Sequence, residues 1–515
     1  MGFVRSLLRR PRAQTGFAGA TMNRLTLDWV LGHRSVDQEI RGELRTLRDR
    51  ARELVRNTGL VRRYVRLLDQ NVVGPHGIRL QGRMRRGDLP LSAANAAVEE
   101  AWATWSKVGS CTVDGKLSFR GLQRLVIRNL PADGECLIRL VRGFDNPFGF
   151  ALQLLDPDQL DERYNVQAVP GTPGHEIRMG VELDRWGRPV AYHLWDGHPA
   201  EQRRGERRRV PAEELIVLGE PDRPNQTRYV PWLASVMLDL NMLRGYFEAE
   251  LVAARVAAAQ GGFFQRKAED LGDTTEGEDA ETPLQMDMEP GTWTELPAGL
   301  EAKEAKPEHP TAAFPDFVKA VLRTIATGLG VSYNALANDL EGVNYSSIRA
   351  GMLDERDSYR TIQQWLIEHF HQRVYDAWLP WAMTAGQLDS RVPLARYQQV
   401  SWQPRGWAWV DPEKDVDASI KAIDRQMGSR KQVLAAQGVE FEEILDDLAE
   451  EDALIRAKGL DPRPPAPAAA PAPPARPDRQ RMLDEGDELD ALLADPSSNG
   501  HGKPSWAHRI LERAR

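Results

Sequence analysis

The chain has 515 residues and a net charge of −8, with 41% hydrophobic and 7% aromatic residues, which is typical of a folded protein of two to four domains. Only two cysteines are present, Cys111 and Cys136, so a disulfide scaffold is excluded and a reducing cytoplasm is expected. The first residues lack the apolar core of a secretory signal, and no stretch approaches the roughly 18 apolar residues of a membrane span. We therefore expect no association with a membrane.

The charge is distributed unevenly along the chain. Residues 1–90 contain 19 Arg, no Lys and 8 acidic residues, a net charge of +11, whereas the remainder has 48 basic and 67 acidic residues. A protein whose task is to bind nucleic acid should be basic over its binding domain, and this acidic body is not. The composition therefore disfavours a simple DNA-binding factor.

The N-terminal quarter is predicted to be helical after a disordered basic segment at 1–24. Apolar residues recur at helical spacing from about 25 to 68, with Arg on the other face, and Gly59 is expected to divide this stretch into two helices. Gly74-Pro75 should end the second helix. The arginines either form a solvated face or contact a neighbouring subunit or DNA. Further helices are predicted at 92–106, with Ser92 as N-cap, and at about 118–130.

β-structure is predicted to follow. Short strands are expected at 135–141 and 150–156, and the clearest hairpin spans 177–195, where two β-prone runs flank a turn at Asp184–Gly187. Another strand is expected at 209–218. The fold class is therefore α+β and mainly helical.

Beyond Pro231 the pattern becomes helical again. Residues 232–260 predict one helix of about 27 residues and about 40 Å. The stretch 268–289 has 9 acidic residues and no basic one, and 290–303 predicts a turn and a strand. A second helix is expected at 314–330.

The last folded part is predicted to contain a loop, a long helix and a further helical segment. The loop covers 331–344, the long helix 345–383, and the helical segment about 412–456. A polyproline-like spacer at 462–477 follows, and residues 460–515 are expected to be a Pro/Ala-rich linker and disordered tail.

No motif for catalysis or metal binding is present. The nearest approach to a phosphate loop, Gly109 to Lys116, has five residues between its glycines instead of four, and Leu117 stands where a hydroxyl should bind Mg²⁺. His369 and His371 are two residues apart on a predicted helix, so they face different directions. The cysteines have no metal-ligand spacing. We expect no enzyme activity, no cofactor and no metal.

Several segments follow one another in the order typical of one family. They include DQNVVGPHGIRLQ (69–81), DGKLSFRGLQRL (114–125), GVELDRWGRPVAYHLW (180–195) and the most distinctive, GVSYNALANDLEGVNYSSIRAG (330–351). Each segment alone is weak evidence for a family, but the ordered set covers about residues 25–455. By this ordered set of segments, the chain resembles the lambda-type family of portal proteins of tailed bacteriophages.

The resemblance implies a ring of about twelve copies at one capsid vertex, through which DNA enters and leaves. It divides the chain into a wing (25–231), a first stem helix (232–260), a clip (261–311), a second stem helix (312–330), a tunnel loop (331–344), a wing helix and return (345–409) and a crown (410–459). Expected partners are the terminase large subunit, the major capsid and scaffolding proteins, the head-completion or adaptor proteins, and double-stranded DNA bound without sequence specificity. Such a protein belongs in the virion after assembly in the host cytoplasm. An acidic body suits a channel in which DNA must slide, because many phosphate contacts would hold it.

The same resemblance suggests roles for individual residues. The channel-lining set is Asn334, Asn338, Asn344 and Tyr345, although Asn344 is equally a candidate N-cap of the next helix. The stem set is Arg244, Glu248, Glu250, Arg255, Lys319 and Arg323. Its basic members either face DNA or form ion pairs between subunits with Glu248 and Glu250, and ion pairing is favoured. The clip set for partner docking is Glu276, Glu278, Asp279 and Glu281.

Three other functions remain to be compared. A terminase ATPase would need the phosphate loop that the sequence lacks. Another virion component, such as a head-tail connector or capsid protein, does not usually combine a hairpin with two stem helices and an acidic insertion. A DNA-binding factor is disfavoured by the charge and by the lack of a recognition-helix motif.

Overall fold

The computed structural model describes residues 32–86, 89–201, 205–259, 263–266, 300–303, 314–341, 344–409 and 411–459. The predicted disordered segments at 1–24 and 460–515, and most of the predicted clip, lie outside these ranges. The chain divides into two units, Met1–Val439 and Glu440–Arg515. None of the helices in the described ranges is long and apolar enough to cross a lipid bilayer.

Three helices open the first unit. They are α1 (Val36–Ile40), α2 (Leu44–Asn57) and α3 (Gly59–Leu68), and a π-helical turn at Asp69–Val73 extends the last. The predicted division at Gly59 is confirmed, since Thr58 is extended between two helices. Gly74 ends the run with a φ of 71°, a backbone conformation that glycine adopts without strain.

Two helices and the first strands follow. α4 covers Ser92–Trp105 and α5 covers Phe119–Asp133. The predicted Ser92 cap is wrong, because Ser92 already lies inside the helix and Leu91 holds the cap position without a side-chain bond. Ser118 does cap α5, with its hydroxyl accepting from the N–H of Gly121 at 3.1 Å. α5 ends at Gly134, where a Cβ atom would lie 2.2 Å from the carbonyl carbon of Val230.

The remaining strands form small antiparallel sheets. A three-stranded sheet has the order β10 (Leu215–Gly219), β4 (Glu135–Arg142), β5 (Phe150–Leu155). A four-stranded sheet has the order β6 (Glu176–Arg178), β7 (Val181–Leu183), β8 (Pro189–Trp195), β9 (Arg207–Pro211). Two-stranded pairs join β1 (Arg79–Gly82) to β13 (Val400–Gln403), β2 (Arg85–Arg86) to β3 (Leu89–Pro90), and β11 (Phe263–Arg266) to β12 (Leu300–Lys303).

The predicted hairpin is present with its turn at Asp184–Gly187, but its first arm is split. Met179 and Gly180 both have positive φ, so the chain reverses there and β6 pairs with β7. The single strand predicted at 209–218 is wrong. β9 ends at Pro211, which has no N–H to continue a ladder, and after a 3₁₀ turn β10 joins the other sheet.

The helices of the second half differ in detail from the prediction. Instead of one helix at 232–260, a 3₁₀ turn at Trp232–Ser235 precedes α6 (Met237–Ala259), which is about 34 Å long. α7 (Phe314–Gly328) follows, and the predicted loop contains α8 (Tyr333–Ala337). The long helix is confirmed as α9 (Tyr345–Leu366), a π-helical turn (Ile367–His371) and α10 (Gln372–Thr384). After the short α11 (Leu394–Tyr397), the predicted segment 412–456 consists of α12 (Pro412–Asp424), α13 (Arg430–Ala436) and, in the second unit, α14 (Phe441–Ala457).

Aromatic residues from α4, α5 and α10 form the centre of the core. Trp102 lies 5.1 Å from both Phe119 and Trp378, between ring centroids. His371 is fully buried beside this cluster, and burial lowers its pKa to about 4, so it is a neutral core residue. His369 is exposed, which confirms that the two histidines face different directions.

A buried ionic cluster joins the helices to the sheets. Glu135 on β4 and Arg228 are both fully buried, and Arg48 on α2 is 1% exposed. Arg48 donates to Glu135 at 2.6 Å, and Arg228 also donates to the carbonyl oxygens of Leu160 and Met179 at 3.2 and 2.9 Å. Burial raises the pKa of Glu135, but the two arginines outweigh it and hold that pKa below its usual value.

We predict that Arg228→Met lowers the free energy of unfolding by about 3–5 kcal/mol, because it leaves a buried carboxylate without one of its two cations. Arg228→Lys should cost less, because it keeps the positive charge beside Glu135 and loses only the paired N–H donation to that carboxylate and the bonds to the carbonyl oxygens. Urea denaturation measures both. Arg208→Met is the control: Arg208 is 69% exposed in its ion pair with Asp196, and its removal should cost about 1 kcal/mol or less. Equal effects of Arg228→Met and Arg208→Met would contradict the role of the cluster.

Candidate channel and subunit-contact surfaces

α6 and α7 lie side by side and antiparallel. At the base, Val236 packs so closely on Gly328 that a Cβ atom there would lie 2.4 Å from the valine Cγ1. Further along, Tyr246 stacks on Phe314 with 5.8 Å between ring centroids and meets Phe317 at 5.3 Å. The chain thus runs in one direction along α6 and in the opposite direction along α7.

The outer face of α6 is apolar although it is exposed. Leu238, Met242 and Val252 are 69%, 64% and 51% exposed. At 100° per residue, they share one face with two small residues, and this face is opposite the buried Leu240 and Leu243. We call this surface the α6 stripe: Leu238, Met242, Gly245, Ala249 and Val252.

Polar residues border the α6 stripe on both sides. On one side lie Asp239 and Glu250; on the other lie Asn241, Arg244, Glu248 and Arg255. A helix exposed only to water would have polar residues opposite its core face. An apolar stripe between polar borders is the pattern of a protein–protein interface, in which a dry centre is surrounded by a polar rim.

One of the predicted stem residues on α6 contacts another part of the chain. Arg244, on α6, donates to Glu53 of α2 at 2.7 Å and to the side chain of Asn241 at 2.9 Å. Glu248 and Arg255 are exposed. Within one chain, therefore, the carboxylate that pairs with Arg244 belongs to α2. The ion pairs expected between subunits stay a prediction.

On α7 the two predicted basic residues contact the segment that follows. The Nζ atom of Lys319 lies 3.8 Å from Asp339 and 3.6 Å from Glu341. The guanidinium of Arg323 lies over the ring of Tyr333, 5.5 Å from its centroid. Both side chains therefore link the predicted second stem helix to the predicted tunnel loop.

That predicted loop is partly helical because its polar residues form caps. The Ser332 hydroxyl accepts from the N–H of Ala335 at 3.2 Å, which begins α8, and Asn338 ends it in the left-handed conformation with a φ of 54°. The Tyr333 hydroxyl donates to Asp339 at 2.7 Å. The expectation of an irregular loop over 331–344 is thus wrong for Tyr333–Ala337.

The predicted channel-lining residues have different environments. Asn338 is exposed and Asn334 is half-buried. Asn344 immediately precedes α9, and its carbonyl oxygen accepts from the N–H of Ile348 at 3.1 Å, so its backbone occupies the N-cap position. The side chain of Tyr345 lies outside the described part. The clip set, Glu276, Glu278, Asp279 and Glu281, also lies outside it, between the paired strands β11 and β12.

One cluster has the spacing of a cation site. Asp156, Asp158 and His198 bring their ligand atoms within 4.8 Å of one another. Arg52 already donates to Asp158 at 2.6 Å and to Asp156 at 3.2 Å. These carboxylates therefore have a cationic partner within the chain, and the cluster is explained as an ion-pair network.

A second cluster, around Glu182, was not predicted from the sequence. Glu182 is 1% exposed; Arg209 donates to both of its oxygens, at 2.7 and 3.1 Å, and His175 and His193 lie within 3.3 Å. The bonds from Arg209 are the main cause that lowers the pKa of Glu182 to about 2. Strand alternation along β7 predicts from the sequence that Glu182 and Leu183 face opposite sides of the sheet. The closeness of the two histidines to Glu182 could not be predicted, because it depends on the split in the first arm of the hairpin.

The ionised form of Glu182 should stabilise the four-stranded sheet above the ordinary carboxyl pKa of 4.5, and this stabilisation should vanish as the pH falls toward 2. We predict that Glu182→Gln is less stable than the wild type at pH 7 and that the difference shrinks below about pH 4.5. Urea unfolding at a series of pH values measures it. The exposed Glu201→Gln is the control. A difference that does not change with pH would contradict the assignment.

Comparison with known proteins gives consistent matches. The family model described as "Phage portal protein, lambda family" matches residues 22–363. The "Probable portal protein" of Halomonas phage phiHAP-1 is 35% identical over 465 residues, which are 88% of this chain and 89% of that protein. "Portal protein B" of Escherichia phage lambda is 23% identical and covers 88% of this chain and 90% of its own length. A solved structure, the neck of a native gene transfer agent particle, matches 77% of this chain and 94% of its own with 14% identity and a TM-score of 0.43.

The family match covers α1 through most of α9, which includes the three-stranded and four-stranded sheets, the α6–α7 pair and the segment after it. The resemblance seen in the ordered motifs is thereby confirmed. This chain belongs to the lambda family of phage portal proteins.

Proposed function

We propose that about twelve copies of this chain close into a ring around a channel for double-stranded DNA at one capsid vertex. In this role the protein receives DNA from the terminase large subunit during packaging, joins the head to the tail and releases DNA on ejection. It makes and breaks no bond, needs no cofactor, and remains in the virion after assembly in the host. Membership of the portal family supports this function.

The α6 stripe is the observation that best supports assembly into a ring. A ring closes through a heterologous interface, in which one patch of each subunit meets a different patch of the next. Such an interface needs an apolar centre that is exposed in the isolated chain and covered in the assembly. The α6 stripe has this character, and its polar borders supply the rim, where Arg244, Glu248 and Arg255 are placed for ion pairs across the interface.

The remaining regions take the roles that family membership suggests. We assign α6 and α7 to the stem, 331–344 to the tunnel loop, 261–311 to the acidic clip for the terminase and head-completion proteins, 25–231 and 345–409 to the wing, and 410–459 to the crown. Contacts of Lys319 and Arg323 with the tunnel loop support a coupling between stem and loop. Asn338, exposed at the end of α8, is the best placed to meet DNA without a strong charge.

We predict that Met242→Asp, and still more the double change Leu238→Asp with Met242→Asp, reduces assembly because a carboxylate must be desolvated at the centre of the interface. Mass photometry of the wild type should show particles of about 0.7 MDa, as expected for about twelve chains of 57.8 kDa. The variants should shift to smaller species at the same concentration. Circular dichroism would show whether they retain their helices.

Met427→Asp is the matched control, since Met427 is 80% exposed between α12 and α13 and is not part of the α6 stripe. It should leave the particle mass unchanged. Folded stripe variants that still form full-size rings would contradict the interface, and a wild-type chain that stays monomeric at every concentration and salt would contradict the ring.

A further inference from the structure

Three arginines surround one tryptophan beside α9. The guanidinium carbons of Arg356, Arg360 and Arg405 lie 5.8, 5.4 and 5.6 Å from the ring centroid of Trp407. The indole N–H donates to Asn71 at 3.1 Å, which fixes the ring. Like charges repel, so three cations around one partly exposed ring need a reason to be held together.

The carboxylates nearby do not neutralise this group. Within the described ranges, Arg360 pairs with the exposed Asp357, but no carboxylate lies within 4.0 Å of Arg356 or Arg405. Arg356 donates to the carbonyl oxygen of Ala408, and Arg405 donates to Asn71 and the carbonyl oxygen of Gln70, both through Nη1. The other N–H groups of these two side chains have no acceptor in the described part of the chain.

The positive surface continues across the turn at Gly74-Pro75. Arg405 lies so flat on Gly74 that a Cβ atom there would be 2.6 Å from its Cδ. A cavity of about 430 Å³ lies between Arg405 and Arg124, and Arg120 donates to the carbonyl oxygen of Pro75 at 2.8 Å. Arg124 pairs with Asp69 through two bonds of 2.8 and 2.7 Å.

Together these residues form what we call the arginine track: Arg120, Arg124, Arg356, Arg360 and Arg405. Asp69 and Asp357 are the two carboxylates in ion pairs with them among the described residues. Burial and the neighbouring guanidiniums lower the pKa of both Arg356 and Arg405, and the opposing effect of Asp415 on Arg356 is smaller. This local excess of positive charge occurs in a part of the chain that is acidic overall, since residues after 90 carry more acidic than basic groups.

We propose that the arginine track is a binding site for the phosphate backbone of double-stranded DNA, which it holds without reading bases. Guanidinium groups match phosphate oxygens through paired N–H donors, and contacts to phosphate position a protein without sequence specificity. A duplex presents phosphates in series, so one ligand reaches several arginines at once. The inference rests on the proposed function only in taking DNA as the source of the phosphate.

An acidic peptide fits the arginine track less well. The acidic helix α14, for example, also exposes Leu445, Leu448 and Leu454, which would need an apolar surface on the partner. The arginine track offers one aromatic ring, Trp407, among polar groups. Several clustered guanidiniums with little apolar surface are the pattern expected for a site that binds a phosphate backbone.

The test uses the full chain in its assembled form and a labelled duplex of about 30 base pairs, with binding followed by fluorescence polarisation at several salt concentrations. The double change Arg356→Ala with Arg360→Ala should weaken binding at 0.1 M salt by about eightfold for each phosphate that the variant no longer neutralises, and flatten the plot of log K against log salt by about 0.9 for each. Arg391→Ala is the matched control, since Arg391 is 89% exposed and paired with Asp389 outside the arginine track. It should change neither quantity.

Equal binding and equal salt slopes for the track variant and the wild type would overturn the proposal. Binding of inorganic phosphate at millimolar concentration, measured by isothermal titration calorimetry, together with no binding of the duplex would replace it with a small-anion site. Binding of labelled polyglutamate to a chain that does not bind the duplex would replace it with a peptide site. Particle mass, measured on the same samples, reports separately on the ring, so failure of the ring to form and failure to bind DNA are distinguished.

Discussion

The architecture depends on a carboxylate, Glu135, that is held between two arginines out of contact with water. Arg48 connects it to α2, and Arg228 connects it to carbonyl oxygens before and after β6, only a few residues before the chain turns into α6. Neither the Glu135 carboxylate nor the arginines can be buried there without an ionic partner, because an unpaired buried ion costs several kcal/mol. The cluster therefore holds in place the segment that leads into α6.

Much of the local structure could be predicted from the sequence. Apolar periodicity predicted α2 to α5, and glycines with positive φ mark several ends, notably Gly74 and Gly134. The predictions were wrong where tertiary contacts, and not the local sequence, determine the secondary structure. The apparent strand at 209–218 contributes to two sheets because Pro211 interrupts its ladder. The helix at 232–260 begins late because the Trp232–Ser235 turn packs at its base, and the loop at 331–344 contains α8 because Ser332 and Asn338 cap it.

The functional surfaces were harder to predict because their residues are distant in the chain. The α6 stripe is visible in the sequence as spacing, but that it is exposed follows only from the packing of the opposite face. Arg244 was expected to face DNA or to form ion pairs between subunits, which stays a prediction, and its contact within the chain with Glu53, 191 positions earlier, was not predicted. The arginine track combines α5, α9 and the segment before α12, and no linear motif marks it. Family membership, in contrast, was readable from the order of short motifs that are individually weak.

We propose two kinds of functional surface for this portal protein: the apolar α6 stripe, which joins subunits, and polar surfaces, which contact DNA. In the proposed ring the α6 stripe lies against the neighbouring subunit. Electron cryomicroscopy of the purified assembly tests this most directly. We expect a closed ring with a central opening, in which Leu238, Met242 and Val252 of each subunit are covered by the next. A closed ring whose α6 stripe faces solvent, or particles that never close, would contradict it.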